Sequence, residues 1–88
     1  MKIRLHRKFK KFYKVKIAPN KQLVLQTEKR ISLFKDNFRN PLLENHKLSG
    51  AKKELCSFSV TGNIRIVYLP VSDDEVIFID IGSHNQVY

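Results

Sequence analysis

The sequence has few of the residues from which cross-linked or metal-held sites are built. Its 88 residues include one cysteine, Cys56, and no tryptophan. A single cysteine excludes an internal disulfide and a cysteine-based metal site, and its strand-like surroundings favour a small buried hydrophobe over a nucleophile. No apolar run reaches the roughly 18 residues that a membrane span needs, and the amino-terminal segment lacks the apolar core of a secretory signal. We therefore expect a cytoplasmic protein that has no membrane span and no metal.

Acidic residues are scarce in the first part of the chain. Residues 1–53 hold 16 of the 17 lysines and arginines but only 3 of the 8 acidic residues, which gives them a charge of +13. Residues 54–88 carry −4, so the net charge is +9. A cationic body of this kind indicates a phosphate backbone, an anionic membrane or an acidic protein as partner. The simpler alternative is a lysine-rich surface that only keeps the protein in solution.

The length of 88 residues predicts a single domain over residues 1–88, because a second compact core would not fit in this length. The predicted elements, in chain order, are a strand (2–6), a helix (7–17), a helix (20–38), a loop (39–53) and three strands (54–60, 64–70 and 75–81). The order is β-α-α-β-β-β. This is an α+β fold in which an amino-terminal helical hairpin covers one face of a small sheet.

The apolar positions also predict which faces are buried. Phe34 and Phe38 belong to the apolar stripe of the second helix. In the strand hairpin, one register collects the apolar side chains on a single face: Cys56, Phe58, Val60, Ile64, Ile66 and Tyr68. A shift by one residue would place Arg65 beside Phe58, so the first register is preferred. The continuous apolar run 76–79 predicts that the last strand is central in the sheet.

Arg65 is the only basic residue after Lys53, and it lies in the middle of a predicted strand. An arginine there is costly unless an anion accompanies it. The structural interpretation is an ion pair with Asp80 or Glu54. The functional interpretation is a phosphate clamp, since a guanidinium offers planar, paired donors to phosphate oxygens.

The remaining chemistry-bearing residues fit the cleavage of RNA without a metal. That reaction needs a base for the 2′-hydroxyl, a cation for the charged phosphorane and an acid for the leaving 5′-oxygen. An aromatic ring can stack on a splayed base. The candidates for these roles are His84, His46, Arg65 and Tyr88, and the candidates for steering the RNA backbone are Lys47, Lys52 and Lys53.

Four segments together resemble the RelE/YafQ group of bacterial type II toxins, within the RelE/ParE superfamily. They are "HKLSG" (46–50), "AKKEL" (51–55), "NIRIVY" (63–68) and "VIFIDIGSHNQVY" (76–88). The resemblance implies a small antiparallel sheet with helices on one face. It also implies a metal-independent endoribonuclease that cuts messenger RNA in the ribosomal A site and leaves a 2′,3′-cyclic phosphate.

The resemblance assigns roles position by position. His46 stands at the position of the catalytic histidine in the family's "HxLxG" loop. His84 in "GSH" is the principal acid/base candidate. Tyr88 is the terminal aromatic that orients the histidine or the base, and Arg65 corresponds to a phosphate-stabilising arginine. The chain departs from the family at Asp80, where relatives often carry an arginine. An acid there would either orient His84 or neutralise Arg65.

Two other functions remain open alongside the ribonuclease. One is a ParE-like inhibitor that binds DNA gyrase without catalysis, and the other is a weakly active RNA-binding module that uses the basic first half. The toxin interpretation implies an acidic cognate antitoxin, which the charge of +13 over residues 1–53 suits. It also implies messenger RNA and the ribosome as partners, no membrane partner, no cofactor, and a monomeric free protein.

Overall fold

The computed structural model describes residues 1–83 and 87, with Ala51 described by its backbone alone. It contains five strands, two α-helices and three short helical turns within that part of the chain. The strands are β1 (Lys2–Leu5), β2 (His46–Lys47), β3 (Cys56–Ser59), β4 (Ile64–Ser72) and β5 (Glu75–Ser83). The helices are α1 (Arg7–Phe12), which continues as a π-helical turn (Tyr13–Ile17), and α2 (Lys21–Asp36). Two 3₁₀ turns, Pro41–Leu43 and Gly50–Lys52, flank β2.

The strands form one mixed sheet in the order β1-β5-β4-β3-β2. The predicted α+β class is confirmed, and so is the central place of β5, which lies between β1 and β4. The expectation of an antiparallel sheet is wrong for β1, because β1 pairs in parallel with β5. Alternation of apolar and polar residues is the same in either direction, so the sequence pattern of a strand does not report its orientation.

The predicted loop at 39–53 is more ordered than expected. Its residues His46 and Lys47 form β2, which pairs antiparallel with Ser57 and Cys56 of β3. Two residues are too few to show a period, which is why the pattern does not reveal this strand. The consequence for the site is direct, since backbone pairing with β3 fixes the position of His46.

The hairpin register is confirmed. Cys56 lies opposite Tyr68 and Phe58 opposite Ile66, so the apolar side chains share one face. The helices cover this face, and the buried cluster joins residues of both layers, including Phe9, Ile17, Phe34, Phe58, Ile66, Phe78 and Ile81. Phe38 departs from the prediction, because α2 ends at Asp36 and leaves Phe38 44% exposed.

Both helices begin at a side chain that caps free backbone N–H groups. His6 Nδ1 accepts a hydrogen bond from the Lys8 amide at 3.0 Å, and Asn20 Oδ1 accepts from Gln22 and Leu23 at 3.0 and 3.2 Å. Asparagine is among the best residues at this position. No helix of the described residues is long and apolar enough to cross a membrane.

Candidate functional site

The main-chain carbonyl of Glu44 is the point on which the site is assembled. Glu44 closes the turn Pro41–Leu43 in a left-handed conformation, with φ 46°. Non-glycine residues seldom adopt this conformation. Its carbonyl oxygen accepts a hydrogen bond from Arg65 Nη2 at 2.9 Å and lies 2.9 Å from His46 Nδ1. A residue of the loop before β2 thus ties the predicted histidine to the predicted arginine.

The shared carbonyl also sets the tautomer of His46. A carbonyl oxygen only accepts, so the short contact assigns the proton to His46 Nδ1. In this neutral tautomer the lone pair lies on Nε2. Arg65 Nη2 lies 3.4 Å from Nδ1, and both groups donate to Glu44 rather than to each other. The arrangement places an imidazole beside a fixed guanidinium.

Arg65 is held by neutral acceptors within the described part of the chain. Its Nε donates to Ser57 Oγ at 3.1 Å, in addition to the bond from Nη2 to Glu44. No carboxylate among residues 1–83 forms an ion pair with it. Of the two predicted structural partners, Glu54 forms no ion pair with a described residue, and Asp80 instead pairs with Lys8 at 3.2 Å and accepts from the Ile81 amide. The positive charge of Arg65 is therefore positioned but not neutralised by these residues.

The three lysines predicted to steer RNA occupy different places. Lys47 and Lys52 line a cleft of about 290 Å³ together with His46, Leu48 and Ser49. Lys53 borders a second depression, which Lys52 also lines together with Glu54 and Leu55. The ammonium of Lys52 donates to the carbonyl of Val87 at 2.6 Å. Lys52 therefore connects the cleft that it shares with His46 and Lys47 to Val87.

His84 and Tyr88, the two other predicted catalytic residues, lie outside the described residues. Val87, between them in the sequence, is buried with 2% of its surface exposed. Neither Val87 nor Val67 belongs to the apolar cluster beneath the helices, although both are buried. Its contact with Lys52 places the Val87 carbonyl beside a side chain that lines the same cleft as His46.

A buried tyrosine supports the loop that carries Glu44 and His46. The Tyr68 hydroxyl donates to Asn45 Oδ1 at 2.7 Å, and Asn45 Nδ2 donates to the Phe38 carbonyl at 3.0 Å. The sequence pattern placed Tyr68 in the core but gave no partner for its hydroxyl, although a buried tyrosine usually has one. Burial raises the pKa of Tyr68 from 10.0 to about 12. Only the protonated phenol can donate to Asn45.

We expect the Tyr68→Phe variant to lose a pH-dependent part of the stability. Because the folded pKa is raised from 10.0 to about 12, this contribution is complete below pH 10 and disappears as the pH rises towards 12. Below pH 10 the lost hydrogen bond should cost about 0.5–1.5 kcal/mol. Urea unfolding, followed by circular dichroism from pH 10 to 12, should show a smaller decline for the variant. An equal decline in both proteins would contradict the assignment.

Comparison with solved structures identifies the class of protein that has this fold. A copper-bound variant of a Helicobacter pylori toxin matches with a TM-score of 0.77 and 26% identity, over 100% of this chain and 99% of that chain. A YoeB/ParE toxin from Agrobacterium tumefaciens matches with a TM-score of 0.78 and 20% identity, over 96% and 99%. The fold is thus that of small bacterial toxins.

YafQ from E. coli has a TM-score of 0.80 and 17% identity, over 98% of this chain and 96% of that chain, and it has also been solved in a DinJ–YafQ toxin–antitoxin complex. The chain has a RelE/YafQ-like toxin fold, which confirms the resemblance predicted from the motifs. No protein-family model and no curated protein sequence matches. Within the described residues, no three histidine, cysteine or acidic side chains are grouped as metal ligands would be.

Proposed function

We propose that this chain is the toxin of a type II toxin–antitoxin pair and acts as a metal-independent endoribonuclease on messenger RNA in the ribosomal A site. The observation that carries the proposal is the joint attachment of His46 and Arg65 to the Glu44 carbonyl. A proton-transfer group and a cation that pairs with no carboxylate among residues 1–83, held on one atom of a strongly basic chain, suit the cleavage of a phosphodiester. The toxin fold of the neighbours supports the same interpretation.

In the proposed reaction, the 2′-oxygen of one ribose attacks the phosphate on its own 3′-oxygen. The 5′-oxygen of the next nucleotide is the leaving group. A base removes the 2′-hydroxyl proton, the 2′-oxygen attacks phosphorus, and the bond to the 5′-oxygen breaks as that oxygen receives a proton. The products are a 2′,3′-cyclic phosphate and a 5′-hydroxyl. We assign one of the two proton transfers to Nε2 of His46. The Arg65 guanidinium would stabilise the negative charge on the equatorial oxygens of the phosphorane by donating hydrogen bonds to them.

The resemblance supplies the rest of the site. His84 is proposed as the second proton-transfer group and Tyr88 as the aromatic that orients it or the base. Lys52 holds the neighbouring Val87 carbonyl at 2.6 Å, which supports a place for this segment near the cleft that contains His46. Lys47 and Lys53 are proposed to steer the RNA backbone, as is Lys52 itself.

An acidic antitoxin is the proposed protein partner. Residues 1–53 carry +13, and an acidic segment that folds on binding would complement this surface. The DinJ–YafQ complex shows a protein of this fold bound to an antitoxin. A neighbouring reading frame that encodes a small acidic protein would support this partner.

The test is induced expression of the chain in bacterial cells. We expect translation to stop, and messenger RNA to be cut within translated regions with 2′,3′-cyclic phosphate at the new ends. Mapping the 5′-hydroxyl ends and comparing translated with untranslated transcripts measures both the chemistry and the dependence on the ribosome. Growth arrest with intact messenger RNA and a DNA-damage response would instead support a gyrase inhibitor, since the YoeB/ParE neighbour has the same fold. Salt-sensitive RNA binding without growth arrest would support a binding module.

A further inference from the structure

A second cleft, of about 420 Å³, adjoins the site and is lined by Phe38, Arg39, Glu44, His46 and Lys47 among others. We call it the Phe38 cleft. None of the roles assigned above uses Phe38 or Arg39. We propose that the Phe38 cleft is a subsite for a single-stranded RNA nucleotide adjacent to the scissile phosphate, with the base stacked on Phe38 and its phosphate bound by Arg39 and Lys47.

Phe38 is an exposed aromatic on a fixed backbone. The residue is 44% exposed, yet its carbonyl accepts a hydrogen bond from Asn45, which is itself bonded to buried Tyr68. Exposed aromatic rings are the surfaces on which single-stranded bases stack, because every base has a π-face. A ring on a backbone that is already held in place loses less freedom on binding than one on a mobile loop. Phe38 is therefore suited to stacking on a base.

The charges around the ring suit a nucleotide. The Arg39 guanidinium lies 5.4 Å from the centre of the Phe38 ring, so one residue can extend the stack and also donate to a phosphate. Lys47 adds a second cation to the lining, and Glu44 adds one carboxylate. A carboxylate accepts hydrogen bonds from the amino groups of bases. Cations for the phosphate, an aromatic for the base and an acceptor for its edge are all present.

The Phe38 cleft adjoins the proposed catalytic residues, because His46 is part of its lining. His46 and Lys47 line both this cleft and the cleft that contains Lys52. The short strand β2 therefore forms a wall between two clefts. An RNA strand that crosses His46 would place successive nucleotides on either side of this wall. The assignment rests on the proposed ribonuclease function, because it takes the scissile phosphate to lie at His46 and Arg65.

Binding of an oligonucleotide that cannot be cleaved tests the subsite without requiring catalysis. The probe is a fluorescently labelled 2′-O-methyl RNA hexamer, and the binding constant of the full chain is measured by anisotropy. Loss of one stacked base costs about 1–3 kcal/mol, so Phe38→Ala should weaken binding by about 5- to 150-fold. Phe38→Trp should keep most of the affinity. Titration of the Phe38 ring resonances with the same probe should show a direct shift.

The matched control is Leu42→Ala. Leu42 lies in the turn Pro41–Leu43, is 62% exposed and is not part of the cleft lining. Its removal should change the affinity by less than about two-fold, as is usual for surface substitutions away from a site. Equal losses for Phe38→Ala and Leu42→Ala, an unchanged affinity for Phe38→Ala, or no binding by the unaltered chain would each overturn the proposal.

Three further outcomes distinguish a nucleotide subsite from a peptide-binding cleft, and the failure of the subsite from the failure of the ribonuclease. If Phe38→Ala weakens binding of a labelled oligoglutamate peptide but not of the RNA probe, the cleft binds an acidic protein segment and the nucleotide subsite is wrong. A chain that binds the probe through Phe38 but leaves messenger RNA intact would refute the ribonuclease and retain a nucleotide site. Normal cleavage and binding by Phe38→Ala would refute the subsite alone.

Discussion

Replacing Arg65 with alanine is expected to slow messenger RNA cleavage by about 10²- to 10³-fold, the usual effect of removing one preorganised donor from a site of developing negative charge. The guanidinium is positioned by Ser57 and the Glu44 carbonyl and pairs with no carboxylate among residues 1–83. Within residues 1–83 its charge is therefore not neutralised, which suits the binding of a phosphate. Cleavage would be measured as the initial rate in a translating extract supplied with purified protein.

Arg4→Ala is the matched control for Arg65→Ala. Arg4 is also a strand arginine, but its side chain is 60% exposed and pairs with Glu75 at 3.4 Å on β1, at the opposite edge of the sheet from β2. Both substitutions remove one positive charge. If Arg65 acts only through the general attraction of a basic protein for RNA, the two variants will lose similar activity. Such a result would contradict a local role for Arg65.

Arg65→Lys separates charge from geometry. Lysine keeps the positive charge but lacks the planar set of donors that reaches two acceptors at once. We expect an activity between that of the unaltered chain and that of the alanine variant. Urea unfolding of each variant shows whether the protein is folded in the assay. Full activity in Arg65→Lys would mean that a point charge is sufficient and that the fork between Ser57 and Glu44 serves only the fold.

Much of this fold can be predicted from the sequence, because an element that buries one face has apolar residues at regular spacing. The register of β3 and β4 follows from the alternation that gathers Phe58 and Ile66 together. The central place of β5 follows from its uninterrupted apolar run over residues 76–79. The spacing of apolar residues does not show that β1 runs parallel to β5. It also does not show the two-residue strand β2, which depends on pairing with β3 rather than on its own pattern.

The site was predictable only where a side chain is unusual for its surroundings. An isolated arginine in a strand demands a partner, so Arg65 is evident from the sequence. Its partner is not evident, because the acceptor is the carbonyl of Glu44 and every residue has a carbonyl. The orientation of that carbonyl depends on the positive φ of Glu44. Glutamate, unlike glycine, does not predict a positive φ. Phe38 fits the helical spacing, and only the end of α2 at Asp36 exposes it.

Replacing Phe34 with alanine is expected to destabilise the fold by about 3–5 kcal/mol, a large part of the roughly 5–15 kcal/mol typical of a domain. Phe34 is the aromatic through which α2 packs on the sheet, with 1% of its surface exposed. Its ring stacks on Phe58 at 4.5 Å and meets the edge of Tyr68 at 4.9 Å. The measurement is the urea midpoint and slope, followed by circular dichroism.

Leu25→Ala, on the same helix, is the control for Phe34→Ala. Leu25 is 53% exposed, so its removal should change the stability by no more than about 0.5 kcal/mol. Phe34→Leu fills part of the space and should retain a cooperative transition at an intermediate urea concentration.

Because Tyr68 lies against Phe34 and supports the loop of Glu44 through Asn45, loosening this ring should also reduce cleavage before the protein unfolds globally. Cleavage by Phe34→Leu that matches the unaltered chain would show that the support for the loop does not depend on this packing.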